Sequence, residues 1–301
     1  MNKSFLFMSK IILLLILCFA TGCSHQHKSL FSKENITPWC IVPFDVKQRT
    51  PQARAEMLQR LGFSKLAYDW RDVNIPEFDE EVAQLKKHGI RMTAFWWNGG
   101  LPANENELKA SERMNMQIDF LKRNSLNLEV WMTLSDGNLK QESDEVKYTK
   151  LASQIDVLAG ELKKINCRLG LYNHGGWGGM PKNMVETIKR VKSDNVGIVY
   201  NFHHGHEHLD MMPAAFNMML PYLYCVNLNG MKKEGPQILP LGEGSEDARI
   251  LKMIAESGYS GPLGILGHVN EEDVEIVLKR NLEGLKKLLM ELGETKASKT
   301  Y

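Results

Sequence analysis

The 301-residue chain is poor in cysteine, has no CxxC pair, carries no excess of either charge and has no apolar run long enough to span a bilayer comfortably. Of its five cysteines, Cys18 and Cys23 fall in the first residues, and Cys40, Cys167 and Cys225 each lie in or beside an apolar strand-like run. Three is an odd number without metal-ligand spacing, so these read as buried, unpaired thiols rather than a disulfide framework or a zinc site. Charge is equally uninformative about large partners. Lys and Arg number 37 against 36 Asp and Glu, and losing Lys3 and Lys10 with a leader would bring the formal charge near −1. No basic excess exists to attract a nucleic acid. No Gly/Ser- or Pro-rich linker divides the chain, and 43% apolar residues supply one sizeable core.

The N-terminus does carry a signal. Lys3 and Lys10 flank the start of a short apolar segment, Ile11 to Phe19, and Ala20-Thr21-Gly22 precedes Cys23. This pattern resembles a bacterial lipoprotein leader over residues 1–22, with Cys23 as the acylated first residue. No acidic run follows Cys23, which favours a periplasm-facing, lipid-anchored protein whose contact with the membrane is the anchor alone. Residues 23–35 read as a polar tether, 36–293 as the folded domain and 294–301 as a charged, fraying tail.

Within the domain, strand-like runs recur at about 39–45, 65–70, 91–97, 128–134, 167–173, 196–202, 223–229 and 261–267, with helical patterns between them. The helices carry local start and stop signals. Thr50-Pro51 opens the first and Gly62 follows it, FDEEVAQLKKHG ends on Gly89, and the stretches after Ser143 and Glu271 place apolar residues at three-and-four spacing. Eight regular units in one domain's length predict an α/β fold, a single (β/α)8 barrel. Its strand ends would converge on one mouth.

Four of the runs break into polar residues at that end: LGLYNHGGWGG (169–179), VGIVYNFHHGHEH (196–208), YCVNLNG (224–230) and GPLGILGHV (261–269). Asparagine is disfavoured in strands, so Asn173, Asn201, Asn227 and Asn229 stand out as donor–acceptor pairs suited to sugar hydroxyls. Tyr172 and His268 belong with them. Trp96 and Trp97 end the third strand and Trp177 sits among glycines. Indole faces suit the apolar face of a pyranose, which makes Trp97 and Trp177 the expected sugar-binding indoles; neighbours on a strand point opposite ways, so one of Trp96 and Trp97 faces outward. His174 and His204 are candidate proton carriers. In an extended segment His204, His206 and His208 would share one side, a trio suited to zinc, copper or iron. Carboxylates at the mouth are few: Asp69, Asp136, Glu207 and Glu243, the last either a candidate acid/base or a cap for the following helix.

The stretch PLGEGSEDARILKMIAESGYSGPLGILGH (240–268), with LYNHGG after the fifth strand and the Asn201-x-x-His204 spacing after the sixth, resembles the sugar phosphate isomerase/epimerase superfamily, the xylose isomerase-like barrels. The resemblance implies one divalent cation, held by carboxylates from strands five and eight, an Asp or His from strand six and a His or Gln from strand seven. Here the matching positions are Tyr172, Asn201, Asn227 and Leu266 or Gly267. Neutral phenol and amides are poor ligands for a hard cation, so the usual carboxylate ligands are absent although a metal remains conceivable. The resemblance also implies isomerisation, epimerisation or a related elimination or hydration of a sugar or keto-sugar, by proton transfer next to a carbonyl. A non-catalytic glycan-binding barrel is the alternative.

Overall fold

The structure, a computed structural model, describes residues 29–301. The expected leader at 1–22, the lipid site Cys23 and the first part of the tether therefore lie outside the described residues. Eight parallel strands follow one another: β1 (Ile36–Trp39), β2 (Lys65–Tyr68), β3 (Arg91–Trp96), β4 (Glu129–Thr133), β5 (Arg168–Tyr172), β6 (Val196–Asn201), β7 (Leu223–Leu228) and β8 (Leu263–Leu266). They pair in the order β1-β8-β7-β6-β5-β4-β3-β2, so the sheet curls into a nearly closed (β/α)8 barrel with its seam between β1 and β2.

Helices cover the outside: α1 (Pro51–Arg60), α2 (Phe78–Lys87), α3 (Glu105–Ala110), α4 (Glu112–Arg123), α5 (Asp144–Lys164), α6 (Gly176–Gly179), α7 (Pro181–Ile188), α8 (Met212–Met219), α9 (Asp247–Glu256), α10 (Val274–Glu291) and α11 (Thr295–Ser298). Local chemistry sets several of their ends. The Thr50 hydroxyl accepts from the Ala53 N–H at 3.3 Å with Pro51 at the first helical position, and the Asp273 carboxylate accepts from the Glu275 N–H at 3.0 Å. After α1 and α2 the chain turns through Gly62 (φ +72°) and Gly89 (φ +68°), left-handed conformations that cost a glycine little.

Two apolar layers result. Between strands and helices lies the larger one, with Leu66, Phe95, Phe120, Leu158, Ile198, Phe216, Leu251 and Leu285 among its buried members. Inside the barrel lies a smaller layer of Trp39, Ala67, Ala94, Trp131, Tyr172, Val199, Cys225 and Leu266. Its aromatic rings interlock, Trp39 meeting Trp131 edge-on at 4.9 Å and Trp96 meeting Tyr172 edge-on at 5.3 Å between centroids. Cys40, Cys167 and Cys225 are free thiols, as their spacing predicts. A buried ion pair joins α1 to α2: Arg54 Nη1 lies 2.5 Å from Glu81 Oε2, with side chains 4% and 0% exposed.

Three boundaries differ from the sequence expectation. Strand β1 occupies 36–39, and the run placed at 39–45 is mostly the loop that follows it. Trp39 ends the strand because the loop must fold back to bond Asp69 across the seam. The later part of the 23–35 tether is packed. Phe31 is 1% exposed, and the Asn35 amide donates to the carbonyls of Leu30 (2.8 Å) and Gly261 (2.9 Å). Residues 294–301 do not fray either. Ala297 and Ser298 are buried in α11, the Tyr301 hydroxyl donates to the Phe31 carbonyl at 2.8 Å, and the Lys33 N–H donates to the Thr300 hydroxyl at 2.9 Å. The two ends hold each other, a contact between residues nearly the whole chain apart that local composition does not disclose.

Candidate functional site

At the C-terminal ends of the strands lies a cavity of about 90 Å³, lined by Trp39, Cys40, Phe44, Asp69, Arg71, Trp96, Tyr172, His174, His203, His204 and His268. The barrel brings together residues more than 200 positions apart, as parallel strands require. Four imidazoles form a row across it. His174 and His204 lie 4.4 Å apart between ring centroids, His204 and His203 4.4 Å, and His203 and His268 4.9 Å. The far end of the row rests on Phe44, 3.6 Å from His268. Burial, reinforced by the neighbouring imidazoles, lowers His203 to about 4 and His204 to about 3. Burial together with the Arg71 charge takes His268 to about 4. These three rings are neutral at pH 7, able to donate and accept hydrogen bonds at once.

Asp69 titrates the other way. Burial raises its carboxyl to about 7, against the lowering effect of Arg71 and of the backbone N–H groups of Val42 and Ile41. Its Oδ1 accepts from those N–H groups at 3.3 and 3.2 Å, clipping the loop after β1 to the end of β2, while Oδ2 is buried without a hydrogen-bond partner. One oxygen is fixed and the other is unused. Arg71, whose Nη1 donates to the Trp70 carbonyl at 2.8 Å, brings a cation to the rim.

These opposite shifts predict a measurable pH dependence. Histidines depressed in the folded state take up protons on unfolding below about 6.5, so the unfolded chain binds more protons and stability falls as pH drops from 6.5 toward 4. Asp69, raised in the folded state, contributes the reverse slope between its ordinary value and about 7. We expect the change in urea midpoint between pH 6.5 and 4.5 to shrink in His204→Asn and to steepen in Asp69→Asn. Parallel shifts in both variants would disprove the assigned environments.

Of the asparagines expected to hold a sugar, Asn173, Asn201 and Asn229 are otherwise engaged. Asn173 and Asn201 clip β5 to β6: the Asn201 N–H donates to Asn173 Oδ1 at 2.6 Å and Asn173 Nδ2 donates to the Asn201 carbonyl at 3.0 Å. Asn201 Oδ1 accepts from the His203 N–H at 3.0 Å and so sets the turn carrying the histidines. Asn227 is buried inside the barrel, its Nδ2 unpartnered and its Oδ1 accepting from the Cys225 thiol at 3.7 Å. Asn229 fastens the following loop through the carbonyls of Gly230 (2.9 Å) and Gln237 (3.0 Å). Amide side chains serve backbone clips as readily as sugar hydroxyls, so residue type did not separate the two uses.

The indoles also sort differently. Trp97 is 2% exposed and packs outward among the helices, its Nε1 donating to the Gly100 carbonyl at 3.3 Å; Trp96 is the one that turns into the mouth. Trp177 ties α6 to α5, with Nε1 donating to Asp144 at 2.7 Å and its ring 5.3 Å from Tyr148. Glu243 lies exposed in the turn before α9 and does not line the cavity. Asp247 organises that turn instead, accepting from the N–H groups of Met231, Gly242 and Gly244. Asp136 is paired with Lys147 at 3.0 Å. Trp39, Cys40, Phe44 and Arg71 at the site carry no motif; only the alternation of strands could have pointed to their positions.

The set implied for a divalent cation does not fit one. The Tyr172 hydroxyl receives hydrogen bonds from Trp39 Nε1 (3.1 Å) and Asn201 Nδ2, and burial raises the phenol well above its ordinary value, so it stays neutral. Leu266 offers nothing, and an added Cβ on Gly267 would strike Val274, Ile41 and Cys40. A neutral, already hydrogen-bonded set does not replace the hydration of a hard cation. The His204, His206, His208 trio is also not assembled. Residues 202–211 form two 3₁₀ turns rather than an extended segment. His208 bonds the Tyr200 hydroxyl at 3.0 Å, and His204 turns toward His174. Among the described residues no group of three or more His, Cys, Asp or Glu is placed to hold a metal ion.

The chain belongs to the xylose isomerase-like TIM barrel family, whose pattern matches residues 55–288. Its barrel is similar to several solved structures at low identity. The 3-keto-D-glucoside 4-epimerase YcjR from E. coli superposes with a TM-score of 0.60 at 15% identity, over 85% of this chain and all of that one. D-psicose 3-epimerase with D-tagatose from Clostridium cellulolyticum H10 gives 0.55 at 14%, over 88% and 96%. A xylose isomerase-like TIM barrel protein from Mycobacterium smegmatis in complex with magnesium gives 0.58 at 18%, over 88% and 99%. Among curated proteins none matches the chain.

Proposed function

We propose that this barrel is a carbohydrate-active enzyme that moves a proton at a carbon next to a carbonyl of a sugar or keto-sugar, in an isomerisation, epimerisation, elimination or hydration. The carrying observation is the pairing, in one small cavity, of a carboxyl held at about 7 with a row of four imidazoles, three of them neutral. A base whose proton affinity matches the working pH transfers protons most effectively. Asp69 takes that role. The carbonyl oxygen then gains negative charge, and the His174 ring and the neutral ring of His204 are placed to donate hydrogen bonds to it. His204, held at about 3, does not carry a proton between steps at neutral pH; it polarises. Trp96 and Trp39 offer apolar faces to the ring. Family membership and the sugar epimerases among the structural neighbours support this reading.

The chain is also proposed to be exported and lipid-anchored through Cys23, on the leader pattern alone. Intact-mass analysis of the protein from membranes would show a diacylglyceryl cysteine at residue 23, and an unmodified residue would rule the anchor out.

The test of catalysis is hydrogen exchange. Purified protein is incubated in D2O with a panel of ketoses and 3-keto-glucosides, and NMR follows deuterium entering the carbon beside the carbonyl. Protein-dependent exchange is expected for at least one. Sugar binding without exchange would favour a non-catalytic glycan-binding barrel.

A further inference from the structure

We propose that the natural ligand is a glycoside carrying a second sugar ring, the reacting ring in the mouth cavity and the other in an adjoining hollow. This rests on the carbohydrate reading above and goes beyond it in naming the substrate class. Beside the mouth lies a second hollow of about 320 Å³, walled in part by Gly175, Gly176, Met180, His206, Glu207 and Gln237. It shares His203 and His204 with the inner cavity, so a ligand in either hollow lies against those rings. The inner cavity, at about 90 Å³, lies well under the roughly 300–1,000 Å³ of ordinary small-molecule sites, and the two hollows together enter that range. A lone reacting ring would leave the larger hollow to water.

Its lining fits a sugar better than an apolar group. The Glu207 carboxylate is exposed at the wall and makes no ion pair among the described residues. Gln237 Nε2 lies 3.3 Å from His204 Nδ1, linking the two compartments. His206 closes the wall with a half-buried ring whose nitrogens lie beside the backbone of His203 and Pro236. Gly175 and Gly176, at φ +81° and +61°, have nothing within 4 Å of the point where a side chain would begin, which keeps the floor open. Met180 is the one large apolar side chain in the wall, and its sulfur already contacts His208 Nε2 at 3.3 Å. Acceptors and amides around an open floor suit hydroxyls, each of which both donates and accepts.

Titration calorimetry on the whole protein, with methyl α- and β-D-glucoside set against maltose and cellobiose, tests this. At least one disaccharide should bind about tenfold or more tightly than either methyl glucoside. Glu207→Ala and His206→Ala should each remove most of that advantage and leave methyl glucoside affinity unchanged. Equal affinities for one ring and two, or a disaccharide preference untouched by both variants, would overturn the inference while leaving a carbohydrate site standing. Tighter binding of p-nitrophenyl glucosides than of any disaccharide would assign the hollow to an aromatic group and overturn it too. Binding of none of these sugars at millimolar concentration would sink the carbohydrate reading, and this inference with it.

Discussion

Asp69→Asn should lower the rate of exchange or turnover by about 10²- to 10⁴-fold, the range that one positioned acid–base group supplies, with little change in sugar affinity. The reasoning rests on its two oxygens. Oδ1 holds the Ile41 and Val42 N–H groups, and an asparagine oxygen holds them equally well, so the β1–β2 seam stays clipped and the variant folds. Oδ2, buried without a partner, becomes an amide nitrogen that cannot accept a proton. In the native protein kcat/KM should rise with pH through an inflection near 7 as the carboxyl ionises, and the variant should lose that limb. A structural role alone predicts another pattern: a lower melting temperature, and a surviving inflection in whatever activity remains. An Asp69→Asn enzyme with native turnover and native pH profile would remove Asp69 from the chemistry.

The largest expected effect on stability lies far from the mouth. Arg54→Met should destabilise the fold by about 3–5 kcal/mol, because it strands Glu81 without its partner in the core. For a chain of this size that is a loss of roughly 10 °C in melting temperature. Burial already holds Glu81 above the ordinary carboxylate range, opposed by Arg54, and without the arginine that opposition disappears. The sign follows from linkage: the unfolded chain ionises this carboxyl at its ordinary value, so the deficit of Arg54→Met grows as pH rises. Arg54 also donates from Nη2 to the Arg49 carbonyl at 2.7 Å, which adds an unmet acceptor to the cost. Pairing the substitution with Glu81→Leu should recover most of the loss, since two apolar side chains of suitable volume tolerate the same space. Thermal melts of the two single variants and the double variant decide this. A single variant within about 1 kcal/mol of the native protein would show that the pair contributes little.

Much of the fold was legible because its signals are local. Thr50-Pro51 and Gly62 bracket α1 whatever surrounds them, and the alternation of apolar strand and amphipathic helix needs only neighbouring residues to be read. The site was legible as a place. The segments ending in His174, His204 and His268 do meet at one mouth. Roles were less so. Alternation requires Trp96 and Trp97 to point apart, but which one enters the barrel depends on how β3 registers against β4, Trp96 beside Trp131. Asn173 and Asn201 look like sugar ligands in isolation, yet the Asn173 amide is spent on the Asn201 backbone and the Asn201 amide on the His203 N–H and the Tyr172 hydroxyl. The tail looked free because its charges are visible in sequence and its contact with Phe31 is not.

The amino-acid sequence by itself determined the eight strand–helix units, the helix ends, the family and the convergence of polar strand ends, since each follows from short-range pattern and the geometry of parallel strands. Only the tertiary structure decided which of those polar groups keep unused bonding capacity. Asp69 is poised near 7 and His204 is held neutral because packing by distant segments removes water from around them. Dehydration of a side chain is a property of the packed whole, and no stretch of sequence carries it alone.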